Sequence, residues 1–144
     1  MDRDRQVLID GLNEDLAYEY AAVIQYTHNA AAVSGLSRPV LKPFFESEAQ
    51  DELGHASYLA EKIVALGGTP VVEPKEVKRM QDVREMIQHA LDAEKATIAR
   101  YTERISQAEK VGEIGLKIQL EDMIADETKH KEELERLLKD PRLG

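Results

Sequence analysis

Apolar residues recur along this chain in steps of three and four. Leu12, Leu16, Glu19, Val23, Tyr26 and Ala30 form one such row, and Ile87, Leu91, Glu94, Ile98, Tyr101 and Ile105 form another with the same steps. Leu41, Phe45, Glu48, Glu52, His55 and Leu59 make a third row, and Leu116, Leu120, Met123, Glu127, His130 and Leu134 a fourth. That spacing puts each row on one face of an α-helix, as the buried seam of a helix bundle requires. Every seam is interrupted near its middle by Glu, or by Glu and His.

Punctuation between the rows sets the expected boundaries. Helix 1 should run from about Asp4 to Ser34 and stop at Gly35. Helix 2 should open near Arg38-Pro39, since Pro suits a first turn, and end at Leu66-Gly67-Gly68. Residues 67 to about 78 carry two prolines and two glycines and read as a connection. Helix 3 should run from about Arg79 to Lys110, Gly112 and Gly115 bracket a turn, and helix 4 should reach about Lys139, before Pro141. The first and last connections are short, so each pair of helices folds back on itself as a hairpin. The middle connection can stretch roughly 40 Å, about the length of helix 2. It can run the length of the bundle and make helices 2 and 3 parallel. The predicted fold is all-α: a four-helix bundle of two antiparallel hairpins joined by one long crossover, in a single domain over residues 1–144.

Composition narrows the picture. A charged fraction of 33% with 5% aromatic residues and no Trp suits long helices. No apolar run reaches the roughly 18 residues of a membrane span, so no membrane partner is expected. The charged start Met1-Asp2-Arg3-Asp4-Arg5 leads into no apolar segment, so no secretory signal is expected and the expected location is cytoplasmic. The absence of Cys excludes disulfides, thiolate zinc sites and iron–sulfur clusters. A net charge of −9 argues against nucleic acid and suits a protein that attracts cations.

The two halves repeat. Adding 75 to Glu19, Glu52 and His55 gives Glu94, Glu127 and His130, and the same step takes Tyr26 to Tyr101 and Asp51 to Asp126. This predicts a pseudo-two-fold bundle with two half-sites facing each other, each for one metal ion. Glu-x-x-His puts both side chains on one helix face one turn apart. Glu52 and Glu127 can bridge two ions, Glu19 and Glu94 can cap one each, and His55 and His130 supply one imidazole each. Four carboxylates and two imidazoles suit iron, with Mn or Zn as alternatives. Four carboxylates also neutralise two divalent cations; without metal, some would hold protons.

These residues resemble the ferritin-like superfamily, in which two helices give a Glu each and two give Glu-x-x-His. Residues 52–63 with Leu66-Gly67-Gly68-Thr69-Pro70, Gln25-Tyr26 after Glu19, and Asp126-Glu127-x-x-His130 are most similar to the bacterioferritins. The resemblance implies a ferroxidase: two Fe(II) per chain are oxidised by O₂ or H₂O₂, for iron storage or detoxification. It also implies a homo-oligomer, at least a dimer, with cages of 12 or 24 chains open. The family's haem-binding Met is Leu53 here, so haem is not expected, and an inner-surface His is Ser47. No short fifth helix is expected after helix 4. Rubrerythrin-like peroxide reductases want an extra carboxylate where Thr97 stands, a Glu in place of His130, and often a four-Cys domain.

Other residues take lesser readings. Tyr26 is expected near Glu19 as a hydrogen-bond partner of a ligand or a one-electron donor, with Tyr101 in the same relation to Glu94. Asp51 and Asp126 read first as solvated, with orienting a His or receiving incoming iron as the alternative, Glu48 as a rim residue or entry ligand, and His28 and His89 as surface residues. The alternatives to a ferroxidase are a peroxide reductase or an oxidase with a permanent di-metal cofactor, and a non-enzymatic metal-binding bundle. An oxidase would want an apolar pocket, which sparse aromatics do not suggest.

Overall fold

A computed structural model describes residues 2–143; Met1 and Gly144, the first and last residues of the expected domain, lie outside it. Four long helices account for almost all of the regular secondary structure. They are α1 (Arg3–Ala32), α2 (Arg38–Ala65), α3 (Val83–Lys110) and α4 (Ile114–Leu137), with a short 3₁₀ turn at Pro141–Leu143. Among the described residues there is no strand, and no helix is long and apolar enough to cross a membrane.

The helix ends follow local chemistry. Asp2 caps α1 by accepting a hydrogen bond from the Asp4 amide, and Asp82 caps α3 by accepting from the Glu85 amide. That second cap places the start of α3 at Val83, four residues later than the sequence pattern predicts at Arg79. Residues 79–82 instead extend the crossover, where Met80 is held by His28. Helices α1 and α4 each end two residues earlier than predicted, at Ala32 and Leu137. Gly35 and Gly67 follow α1 and α2 with φ of 84° and 93°, values that favour glycine over any residue with a Cβ.

Side-chain pairs set the topology. Asp15 meets Arg104, Glu19 meets Tyr101 and Tyr26 meets Glu94, so α1 and α3 run antiparallel. His55 meets Asp126 and His130 meets Asp51, so α2 and α4 are antiparallel too. With α1 and α2 joined as a hairpin, α2 and α3 are parallel, as the long crossover demands. The crossover climbs along α1: Thr69 and Val71 bind Asn13, Lys75 binds the Ala17 carbonyl, Lys78 binds Gln25 and Met80 binds His28.

The core is split into two apolar clusters. One holds Leu8, Leu12, Leu16, Leu59, Ile63, Tyr101, Leu116 and Leu120. The other holds Tyr26, Leu41, Phe45, Met86, Ile87, Leu91 and Leu134. Fully burying one such side chain stabilises by about 1.5–3 kcal/mol. All four helices therefore have strong anchors above and below one level. At that level sit Glu19, Glu52, His55, Glu94, Glu127 and His130, all buried.

Candidate metal centre

The two Glu-x-x-His turns point inward from α2 and α4, and single glutamates meet them from α1 and α3. His55 Nδ1 lies 3.3 Å from Glu52 Oε1, 3.3 Å from Glu127 Oε1 and 3.9 Å from Glu19 Oε2. His130 Nδ1 lies 2.7 Å from Glu48 Oε2, and 3.6 Å from both Glu94 Oε2 and Glu127 Oε1. Three donor sets have ligand atoms within 4.8 Å of one another: Glu19, Glu52 and His55; Glu48, Glu94 and His130; and Glu52, Glu127 and His130. All six predicted ligands are thus brought together, and Glu48 joins them.

The outer ring nitrogens explain how the imidazoles are aimed. His55 Nε2 lies 3.2 Å from Asp126 Oδ2, and His130 Nε2 lies 3.0 Å from Asp51 Oδ2. A carboxylate accepts, so Nε2 carries a proton and Nδ1 faces inward, where a cation can replace the proton it otherwise holds. Each Asp precedes a bridging-position Glu on one helix and fixes the His of the other. The tyrosines are crossed relative to expectation. Tyr26 donates to Glu94 Oε1 at 2.8 Å, and Tyr101 donates to Glu19. Antiparallel packing of α1 on α3 puts each Tyr one level from the other helix's Glu.

Eight atoms of this cluster are buried and have no hydrogen-bond partner: Glu19 Oε2, Glu48 Oε2, Glu52 Oε1, His55 Nδ1, Glu94 Oε2, both Glu127 oxygens and His130 Nδ1. Leaving one such group unsatisfied costs about 1–3 kcal/mol. Eight lone-pair atoms facing one another are arranged for cations. Hard and borderline oxygen and imidazole donors fit iron or manganese.

The electrostatics carry the same strain. Burial, and then the charges of Glu19 and Glu94, push the Glu52 carboxyl well above its ordinary range. Burial and the nearby Glu52 do the same to Glu127, and burial lifts Glu19 to about 7. Burial would lower His55, but its contacts with Glu127 and Glu19 raise it to about 9. Burial likewise opposes His130, which Glu48 and Glu94 raise to about 11. Glu94 resists burial and falls below its usual value, because Glu127, His130 and Tyr26 surround it with hydrogen-bonding groups. Without a cation, the cluster shares protons instead.

Five readings change against the structure. Glu48 is buried rather than at the rim, with 5% of its surface exposed. Asp51 and Asp126 are exposed as expected, yet each bonds a His of the cluster. Their repetition at the 75-residue step was the available signal. His28 is half-buried and clamps Met80 of the crossover. His89 is half-buried beside a cavity of about 160 Å³ between α1 and α3. Ala21, Ala22, Ala90, Ala93 and Ala96 line that cavity, which reaches Tyr26, Glu52 and Glu94, so an apolar pocket does adjoin the site.

The Ferritin-like domain family matches residues 9–143. The chain belongs to this family. The crystal structure of ferritin-like, di-iron-carboxylate proteins from Bacillus anthracis str. Ames is similar to this ferritin-like chain with a TM-score of 0.94 and 60% identity, over 96% of this chain and 100% of that one. Bacterioferritin of Streptomyces coelicolor is 31% identical over 91% of this chain and 79% of its own length. A nutrient stress-induced DNA-binding protein of Synechococcus sp. is 27% identical over 81% of this chain and 72% of its own. The ferritin-like chain therefore has both bacterioferritin and Dps-like homologues.

Proposed function

We propose that this ferritin-like chain is a ferroxidase. It takes two Fe(II) per chain at Glu19, Glu52, His55, Glu94, Glu127 and His130 and oxidises them to Fe(III) with O₂ or H₂O₂, for iron storage or detoxification. The observation that carries the reading is the convergence of buried, unpartnered carboxylate and imidazole atoms at one level of the bundle. Two Fe(II) supply two electrons, which with two protons reduce O₂ to H₂O₂ or H₂O₂ to water. Glu52 and Glu127 lie between the two histidines and would bridge the two ions. Glu19 and Glu94 close the ends, each held by a Tyr hydroxyl. Asp51 and Asp126 keep the imidazole Nδ1 atoms aimed inward. The family association adds a homo-oligomer and the cytoplasm to the proposal. The acidic net charge disfavours nucleic acid as a partner of this chain, whatever the Synechococcus protein binds.

The test is aerobic titration of Fe(II) into the purified protein, following ferric absorbance. Uptake beyond two irons per chain is expected. Glu127→Ala should reduce oxidation to the uncatalysed background while circular dichroism stays helical; fast oxidation in that variant refutes the bridging role. A second reading is favoured by one observation, the alanine-lined cavity ending on Glu52 and Glu94. In that reading the metal pair is retained and serves a peroxide reductase or oxidase. Uptake that stops at two irons with continuing peroxide turnover would select it.

A further inference from the structure

The 75-residue repeat places Met123 opposite Glu48, because 48 + 75 = 123. The ligand positions of the two halves match in kind, and this one does not. Met123 is buried in an apolar cluster. Glu48 is equally buried, and its Oε2 has no hydrogen-bond partner. That oxygen groups with Glu94 and His130 as a three-donor set. Asp51 occupies the other nitrogen of the same ring, so Glu48 Oε2 faces His130 Nδ1 across 2.7 Å, at the ring atom that a cation would take.

We propose that Glu48 is a seventh metal ligand, which makes the Glu94/His130 half-site bind a divalent cation more tightly than the Glu19/His55 half-site. This rests on reading the cluster as a two-metal site. The half-site at His55 has Glu19, Glu52 and the reach of Glu127. The half-site at His130 has Glu94, the reach of Glu127 and of Glu52, and Glu48 in addition. One more anionic oxygen adds Coulomb attraction in a low-dielectric setting, where such terms are strong. Five carboxylates carry one charge more than two divalent ions, and one less than two trivalent ions. The ion beside Glu48 is therefore the first to bind and the last to leave, and the His55 half-site is the one that exchanges. The side chain at 48 makes the two ions inequivalent where the repeat alone would make them equal.

The experiment is calorimetric titration of the full-length protein with Co(II), which does not turn over, alongside the Co(II) d–d absorption at each equivalent. The wild type should show two unequal steps. Glu48→Gln should weaken the tighter step by at least the roughly tenfold that loss of even an outer-sphere partner costs, and leave the weaker step in place. Glu48→Met installs the residue of the repeat and should merge the steps into one of two equivalent sites. Two equal steps in the wild type, or a tight step and spectrum unchanged in both variants, overturn the proposal. Absence of any Co(II) binding in the wild type would instead overturn the two-metal reading beneath it, and the proposal with it.

Discussion

At one end of the bundle, beside the first apolar cluster, Arg104 crosses from α3 to α1 and is gripped by Asp15. Its Nε lies 2.8 Å and its Nη2 3.0 Å from the two carboxylate oxygens, with both residues buried. Gly11 makes room: a Cβ there would collide with the Arg104 guanidinium. Shifting by 75 gives the other end, where Gly11, Asp15 and Arg104 correspond to Met86, Ala90 and Asn29. There the large residue is an apolar Met on α3, and Asn29 accepts only a hydrogen bond from Gln25. The two ends flank the same layer of ligands and solve the same packing problem differently. One fills the space with a paired charge, the other with methionine. The repeat is held in the buried layer of carboxylates and imidazoles and released one or two turns away, where several packings serve.

The largest effect on stability should come from pH, because the layer between the two ends responds as a whole. In chelator, Glu19, Glu52, Glu127, His55 and His130 all hold protons more tightly folded than unfolded, and only Glu94 goes the other way. A raised folded pKa gives stability that is present below the unfolded value and lost as pH rises through the folded one. For Glu19 that window opens at the ordinary 4.5 and closes near 7. For the histidines it runs from the ordinary 6.5 to about 9 and about 11. The melting temperature in chelator should fall steadily from pH 5 to 9. Divalent metal, which replaces the protons, should remove the fall. A flat or rising profile in chelator would sink this account.

The two ends should then separate under mutation. Asp15→Ala strands the Arg104 guanidinium and should cost about 3 kcal/mol in urea unfolding. Asn29→Ala, at the position equivalent to Arg104, should cost only about 1 kcal/mol, since Gln25 keeps its bonds to Lys78. Equal losses would mean that the charged end is no more committed to its partner than the neutral end. Gly11→Ala falls between, at about 1–3 kcal/mol, because Arg104 is pinned and cannot yield freely. A neutral Gly11→Ala would mean that Arg104 has another place to go.

Much of this was legible in the chain. Apolar steps of three and four located all four helices, and the spacing of Glu and His located the buried layer of carboxylates and imidazoles. What stayed hidden depended on antiparallel packing. Tyr26 lies seven residues after Glu19 on its own helix, and only the reversed direction of α3 brings it to Glu94. Asp51 and Asp126 look solvated on a single helix, because the His each one orients belongs to the opposite hairpin. Glu48 breaks the repeat, so its burial shows only when α4 supplies His130. The start of α3 lies later than the apolar pattern predicts because contacts with α1 hold residues 79–82 out of the helix.

Those contacts give the most local effect. The crossover exists once, so it breaks the repeat outright: Gln25 serves it on α1, while the equivalent Arg100 on α3 stacks on Tyr18, its guanidinium 3.7 Å from the ring centre. Gln25 binds both the carbonyl and the amide of Lys78 at 2.8 Å. Gln25→Ala should cost about 1–2 kcal/mol for the two bonds. The helices do not depend on them, so the change should appear mainly as faster hydrogen exchange at the Lys78 amide. Glu76, two residues earlier, lines the alanine-walled cavity. Loosening the crossover there should therefore also widen access to Glu52 and Glu94 from that side. Unchanged exchange at Lys78 would mean that the anchors at Asn13, Ala17 and His28 hold the crossover without Gln25.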